Sequence, residues 1–295
     1  IFFMSFSDRK GIILAGGTGS RLFPITKVVS KQLIPVFDKP MIYYPLSTLM
    51  SIGIRDFLVI TTPKDLNQFK NLLGDGRQWG ISISYAIQKQ PKGIAEALII
   101  GEEFINGSNV VLILGDNIFH GHNLSNRLTK LSNEEGISTI LAYQVKNPSD
   151  YGIINFDNKF NPINLEEKPK NPSSNYAITG MYFFDEDVSK YAKTISPSNR
   201  NELEITDLNK IYLKKNKLNI FFLDRGDVWL DAGTHVSLMQ ASQYVQTIEE
   251  RQGLKISCPE EIAWRLKLIS KLELKNLALK YKNNDYGEYL LNLIK

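Results

Sequence analysis

A chain of 295 residues that is 43% hydrophobic and 22% charged has ordinary globular composition, enough for one large α/β domain or one domain with an appendage. Its net charge of +4 comes from scattered lysines, which disfavours a nucleic-acid partner and suits an anionic small molecule. The longest apolar runs, such as VVLIL, fall far below the roughly 20 residues a membrane span needs, and the lone Cys258 excludes an internal disulfide and points to a reducing, cytoplasmic setting.

The opening IFFM is too short for a signal peptide; Met4 reads as the native initiator, with residues 1–3 a remnant ahead of it. Strand-like runs then follow in order: GIILA (11–15), DFLVITT (56–62), ISYAI (83–87), NVVLILGD (109–116) and STILAYQV (138–145). Between the first two, Ile42, Leu46, Leu49 and Met50 recur at helical spacing up to Gly53. Between the second and third, DLNQFKNLLGDG is also helical with a glycine stop. This alternation predicts a parallel sheet covered on both faces. From residue 150 the pattern changes to short strands and turns (YGIINFD, PINLEEKP, NYAITGMYFFD, LNIFFLDRGDVWLD), which predicts a mixed or antiparallel extension. From Thr234 onward it is helical: Leu238, Ala241, Val245 and Ile248 share a face before Gly253, and PEEIAWRLKLIS starts another helix with proline in its first turn.

After the first strand comes LAGGTGSR (14–21). A glycine-rich turn at the carboxyl end of a strand brings backbone N–H groups close to a phosphate. It is not a P-loop, because no lysine follows the last glycine. It is not a dinucleotide fingerprint, because Leu22 stands where the third glycine belongs. Ligands of open α/β sheets sit beyond the carboxyl ends of the strands, and two carboxylates qualify there: Asp116, closing VVLILGD, and Asp231, in VWLDAGT. Each alone is equally a turn former. Together with the loop they suggest a hard-cation site, since Mg²⁺ takes one or two protein carboxylates plus substrate phosphates. His120, His122, His235 and Cys258 lack zinc spacing.

At this point the motifs become specific. GIILAGGTGSRLFPITKVVSKQLIPVFDKPMIYYPLSTLM closely resembles the opening of bacterial glucose-1-phosphate thymidylyltransferases, which make dTDP-glucose from dTTP and glucose 1-phosphate. The likeness continues through LLGDGRQWG, LGDNIFHGH, LEEKP, NYAITGMYFFD, NELEITD, VWLDAGTH, IEERQGLKISCPEEIAWR and NNDYGEYL, covering residues 10–290. It implies a Rossmann-like nucleotidyltransferase domain with a central mixed, mostly parallel sheet and a helical C-terminal tail. The division would be a core of 4–240 (nucleotide-binding 10–120, sugar-phosphate-binding 121–240) and an extension of 241–295. It also implies Mg²⁺ as cofactor, dTTP and glucose 1-phosphate as substrates, a homotetramer built from dimers, and entry into dTDP-rhamnose or other deoxysugar synthesis.

By the same resemblance, Leu14, Gly16, Gly17, Thr18, Gly19 and Ser20 cradle the nucleotide. Arg21 clamps the departing phosphates, and Lys31 and Gln32 lie beside the triphosphate. Gln88, with Pro91 and Gly93, reads the thymine edge, for which an amide supplies both a donor and an acceptor. Asp116, Tyr151, Gly152, Glu167, Lys168 and Ile178 take the sugar phosphate, with Glu167 accepting from hydroxyls and Lys168 pairing with the phosphate. Asp116 and Asp231 hold the metal. The implied reaction is in-line attack of the sugar phosphate on the α-phosphorus, catalysed by positioning and charge neutralisation through Arg21, Lys31, Lys168, Asp116 and Asp231. His120, Gly121, Glu261, Ile262 and Arg265 form a second, regulatory nucleotide-sugar pocket open to feedback by dTDP-rhamnose.

Three departures stand out. Lys89-Gln90 replaces a common proline–serine pair, Ala232 a common threonine, and His120 a usual tyrosine. The rival readings are a uridylyl- or cytidylyltransferase on a related sugar 1-phosphate, an inactive nucleotide-sugar-binding regulator, and a dehydrogenase. The TKVVSKQL segment favours the thymidylyl branch, the intact charged set argues against the regulator, and the missing third glycine weakens the dehydrogenase.

Overall fold

Ile12 and Ile13, neighbours in the first predicted strand, are both fully buried, yet they belong to different apolar clusters. Alternating side chains with no exposed side require a sheet covered on both faces. The computed structural model describes residues 7–134 and 136–295, so the reading of Met4 and residues 1–3 lies outside the described residues. The strands are β1 (Lys10–Ala15), β2 (Pro35–Val36), β3 (Lys39–Pro40), β4 (Asp56–Thr61), β5 (Ser82–Ile87), β6 (Val110–Leu114), β7 (Asn117–His120), β8 (Ser138–Gln144), β9 (Gly152–Phe156), β10 (Pro162–Glu167), β11 (Tyr176–Phe184), β12 (Leu218–Phe222) and β13 (Val228–Asp231).

Among the described residues, nine of these strands make one sheet containing the run β10-β9-β11-β6-β1-β4-β5, with β8 beside β11 and β12 beside β8. The first half is parallel: β1 pairs with β4 on one side and with β6 on the other. The chain therefore leaves β1 in one direction and returns on its opposite flank with β6. That reversal opens a crevice at the carboxyl ends of β1 and β6, where the register sets Leu14 against Leu114. The region after residue 150 is the expected mixed extension, with β9, β10 and β11 antiparallel and β12 parallel to β8.

Asp116 lies in the link from β6 to β7, and β7 leaves the main sheet to pair with β13 in a two-stranded ribbon. Its register, Asp231 opposite Asn117 and Val228 opposite His120, carries the sheet-end carboxylates at one end and His120 at the other.

The tail helices Pro259–Arg265, Lys271–Lys280 and Asp285–Leu293 close one sheet face, burying Ala263, Leu274, Leu277 and Leu290 in the same cluster as Trp79 and the helix Tyr43–Ser51. Helix His235–Gln252 begins at a reciprocal Thr234–Ser237 cap and ends at Gly253 in the left-handed region. It runs uninterrupted through residue 240, joining core to extension within one helix. Near its end Glu249 accepts from the buried Lys39 at 2.8 Å, tying the β2–β3 hairpin to the tail.

Candidate active site

The glycine loop is shaped by contacts that leave no room for side chains. A Cβ on Gly16 would lie 2.2 Å from Gln88 Oε1. Gly19 sits at φ 63, and a Cβ there would meet Thr26 at 2.8 Å, while its carbonyl accepts from Thr26 Oγ1 at 2.7 Å. Around Gly17, by contrast, there is open space, and that space is a cleft of about 330 Å³.

The cleft brings together Leu14, Gly17, Thr18, Gly19, Ser20, Arg21, Gln32 and Pro91, expected to hold the nucleotide, with Lys31, expected beside the triphosphate, and Asp116, expected at the metal and the sugar phosphate. Gly233, beside Asp231, closes it: a Cβ there would lie 3.2 Å from Arg21 Nη2. Glu202 also lines the cleft, so the chain beyond residue 121 contributes to this half as well.

Lys31, though 8% exposed, forms an ion pair with Asp116. Burial raises the Asp116 carboxyl, but Lys31 and the Asn117 amide outweigh it and hold the group below its ordinary value. At Asp231 the balance is reversed: burial and then the charge on Asp116 push the carboxyl up, with Lys31 and Arg21 opposing. The backbone joins the two, since Ala232 N–H donates to the Asp116 carbonyl at 3.0 Å. Ala232 itself is fully buried in an apolar cluster, so the position is held through its backbone. Two facing carboxylates whose mutual repulsion is only partly offset suit a hard cation that completes its shell from phosphate oxygens. Among the described residues no group of three or more His, Cys, Asp or Glu side chains could hold a metal ion by itself.

Gln88 does not line the cleft but reaches it from behind, 3% exposed, with its oxygen against Gly16. Gly93 sits at φ 102, and a Cβ there would also lie 2.4 Å from the Leu203 carbonyl oxygen, so the position takes glycine on both counts.

The expected sugar-side residues gather on β9, β10 and β11. A Cβ on Gly152 would lie 3.3 Å from Glu167 Oε2 and 3.5 Å from Ile178 Cδ1. Lys168, exposed at φ 44, has its N–H fixed by the Tyr151 carbonyl at 3.0 Å. Tyr151 packs edge-on against Trp229 at 5.2 Å. Its hydroxyl is pushed up by burial and then by Asp231, which places this cluster beside the carboxylate pair.

Four participants escape the sequence reading. Thr206 Oγ1 donates to Glu167 Oε2 at 2.5 Å, and Arg200 Nη2 donates to Glu167 Oε1 at 3.1 Å. Asn117 donates to Asp116 Oδ1 at 2.9 Å, and its own oxygen accepts from Trp229 Nε1 at 2.6 Å. NELEITD and LGDN were visible as motifs, but nothing local says which of their side chains turn inward.

The five residues expected at a second pocket also meet. His120, Gly121, Glu261, Ile262 and Arg265 line a cavity of about 390 Å³ together with Thr48, Lys255 and Cys258. Glu261 is already engaged there, accepting from Arg265 Nε at 2.6 Å and from the Tyr289 hydroxyl.

The sequence profile described as nucleotidyl transferase matches residues 10–248. The chain is 54% identical, over 97% of its length and 99% of the relative's, to a glucose-1-phosphate thymidylyltransferase of Neisseria meningitidis. It is 50% identical, over 97% and 99%, to one of Mycobacterium tuberculosis. A Bacillus anthracis structure described as a putative glucose-1-phosphate thymidylyltransferase in complex with a sucrose superposes with TM-score 0.74 at 43% identity, covering 80% of this chain and 94% of that one. A UDP-glucose pyrophosphorylase bound to UDP-glucose follows at TM-score 0.72 and 25% identity, over 81% and 99%. A glycine-lined cleft with paired carboxylates, on a chain that matches the profile over residues 10–248 and the curated relatives over 97% of its length, makes this a nucleotidyltransferase belonging to the glucose-1-phosphate thymidylyltransferase family.

Proposed function

We propose that the enzyme transfers dTMP from dTTP to glucose 1-phosphate, releasing pyrophosphate. An oxygen of the sugar phosphate attacks the α-phosphorus, and the bond from that phosphorus to the bridging oxygen breaks on the opposite side. The attacking phosphate is already ionised, so no general base is required. Arg21 and Lys31 offset the charge gathering on the leaving pyrophosphate, and Lys168 orients the attacking group. Gly16 to Ser20 hold the phosphates, and Glu167 with the Gly152 backbone takes the sugar hydroxyls. Enzymes of this family generally use a divalent metal. Here Asp116 and Asp231 would hold Mg²⁺, which supplies charge neutralisation and orientation of the triphosphate.

The observation that carries this reading is the meeting of Asp116 and Asp231 with Arg21 and Lys31 at the mouth of the glycine loop. The division of labour is part of the proposal: 10–120 for the nucleotide, 121–240 for the sugar phosphate and 241–295 as an extension. A cytoplasmic location fits nucleotide substrates; no helix among the described residues is long and apolar enough to cross a membrane. The reading also includes a homotetramer, supported by the exposed Val236 and Met239 on one helix. Feedback by dTDP-rhamnose at the cavity of Arg265 completes it, supported by the converged set there. A panel of nucleoside triphosphates against sugar 1-phosphates, read by pyrophosphate release, tests the reaction. Fastest turnover with dTTP and glucose 1-phosphate is the expected result; a better pair would displace it.

A further inference from the structure

Gln88 is 3% exposed, and both hydrogens of its amide are engaged. Nε2 donates to Glu96 Oε2 at 2.7 Å and to the Gly93 carbonyl at 3.3 Å. Both partners are acceptors only, so chemistry fixes which way the amide faces: the nitrogen must turn toward them. Oε1 is left on the opposite side, over Gly16, where the nucleotide loop passes. On the side of Gly16, Gln88 therefore presents an acceptor and not the donor–acceptor pair a free amide would offer.

We infer that Glu96 is a specificity-determining residue: by holding the Gln88 amide in this orientation it selects pyrimidine-2,4-diones, thymine or uracil, over cytosine. The dione ring carries an N–H at position 3, which Oε1 accepts. Cytosine carries a lone pair there, which Oε1 repels, and an unpaired buried polar group costs discrimination of the kind one well-placed hydrogen bond provides. Glu96 touches neither reacting atoms nor base in this arrangement; it is a positioning residue acting through Gln88. It opens the helix Glu96–Ile100, whose preceding residue, Ala95, donates its N–H to the Leu203 carbonyl at 3.2 Å. That bond anchors the start of the helix that carries Glu96.

The inference rests on the reading of Gln88 as the base-reading residue, and the test separates the two. Wild type, Glu96→Gln and Glu96→Ala are assayed with dTTP and dCTP by pyrophosphate release, and both triphosphates are also titrated by calorimetry. The isosteric amide introduced by Glu96→Gln can donate to Gln88 Oε1 and let the Gln88 amide turn over, while Glu96→Ala removes its restraint. Both variants should shrink the preference for dTTP over dCTP by roughly tenfold, in kcat/KM and in affinity. An unchanged ratio, or a loss shared equally by the two triphosphates, would make Glu96 merely structural and overturn the inference while leaving the Gln88 reading intact. A wild-type enzyme with no preference between them would overturn both. Should Glu96→Ala fail to fold, Glu96→Gln carries the test alone.

Discussion

Trp229 donates its indole N–H to Asn117 at 2.6 Å, and Asn117 in turn donates to Asp116 at 2.9 Å. A ring that packs against Tyr151 is thereby linked through Asn117 to the Asp116 carboxylate. Asn117 Oδ1 also accepts from the Gly180 N–H at 3.1 Å. Trp229→Phe keeps most of the packing and removes one donor. It should lower stability by about 1–2 kcal/mol, read by denaturant midpoint, and reduce kcat several-fold with the affinity for dTTP little changed. A stability loss without any loss of kcat would show that the orientation of Asp116 does not depend on Trp229.

The carboxylate pair makes a direct prediction about metal. Asp116→Asn removes an anionic ligand and leaves the buried Lys31 without its partner. Turnover should fall by roughly 100-fold or more, with circular dichroism showing a folded protein. Chelation should abolish wild-type turnover, and added Mg²⁺ should restore it. Near-wild-type rates for the variant at saturating Mg²⁺ would remove Asp116 from the site.

Two adjacent glycines should fail for different reasons. Gly16→Ala drives a methyl into Gln88 Oε1, so it should displace that side chain, lower the melting temperature and weaken dTTP binding together. Gly17→Ala meets nothing in the folded chain; its methyl enters the cleft, so the melting temperature should hold while the KM for dTTP rises by roughly tenfold. Calorimetry and thermal denaturation of both variants check the contrast.

His120 gives a pH dependence whose sign is set by burial. Desolvation lowers its pKa from the ordinary 6.5, with Asp227 opposing. Below that value the unfolded chain binds a proton that the folded chain resists, so stability falls as pH drops through and below about 6.5. In the folded protein Nδ1 lies 2.6 Å from the Tyr244 hydroxyl. His120→Tyr should flatten this component, and the melting temperature of the wild type should drop more than the variant's between about pH 7.5 and 5.5. Equal drops would assign the dependence to other groups.

Local chemistry by itself determined much of this protein. Continuous β-branched runs made β1, β4 and β6 buried strands. Gly53 and Gly253 ended helices, and three glycines after β1 pointed to a turn where backbone can approach a phosphate. Long motifs were enough to reach the family and to name Arg21, Lys31, Asp116 and Asp231. Only the tertiary structure decided how those residues meet. Asp116 and Asp231 are joined by the β7–β13 ribbon, a pairing between segments far apart in sequence that no periodicity encodes. Lys39 is 2% exposed and paired with Glu249 on a distant helix, a burial that no local pattern encodes. Asn117 and Thr206 lie in visible motifs and Arg200 just ahead of one, but whether a polar side chain points to solvent or to a carboxylate depends on what packs across from it. Glu96 lies near Gln88 along the chain, yet the turn between them sets their contact, held by Leu203 from another part of the fold. Backbone preference and burial are local properties; the orientation of a polar group is fixed by its partners, and those come from elsewhere in the chain.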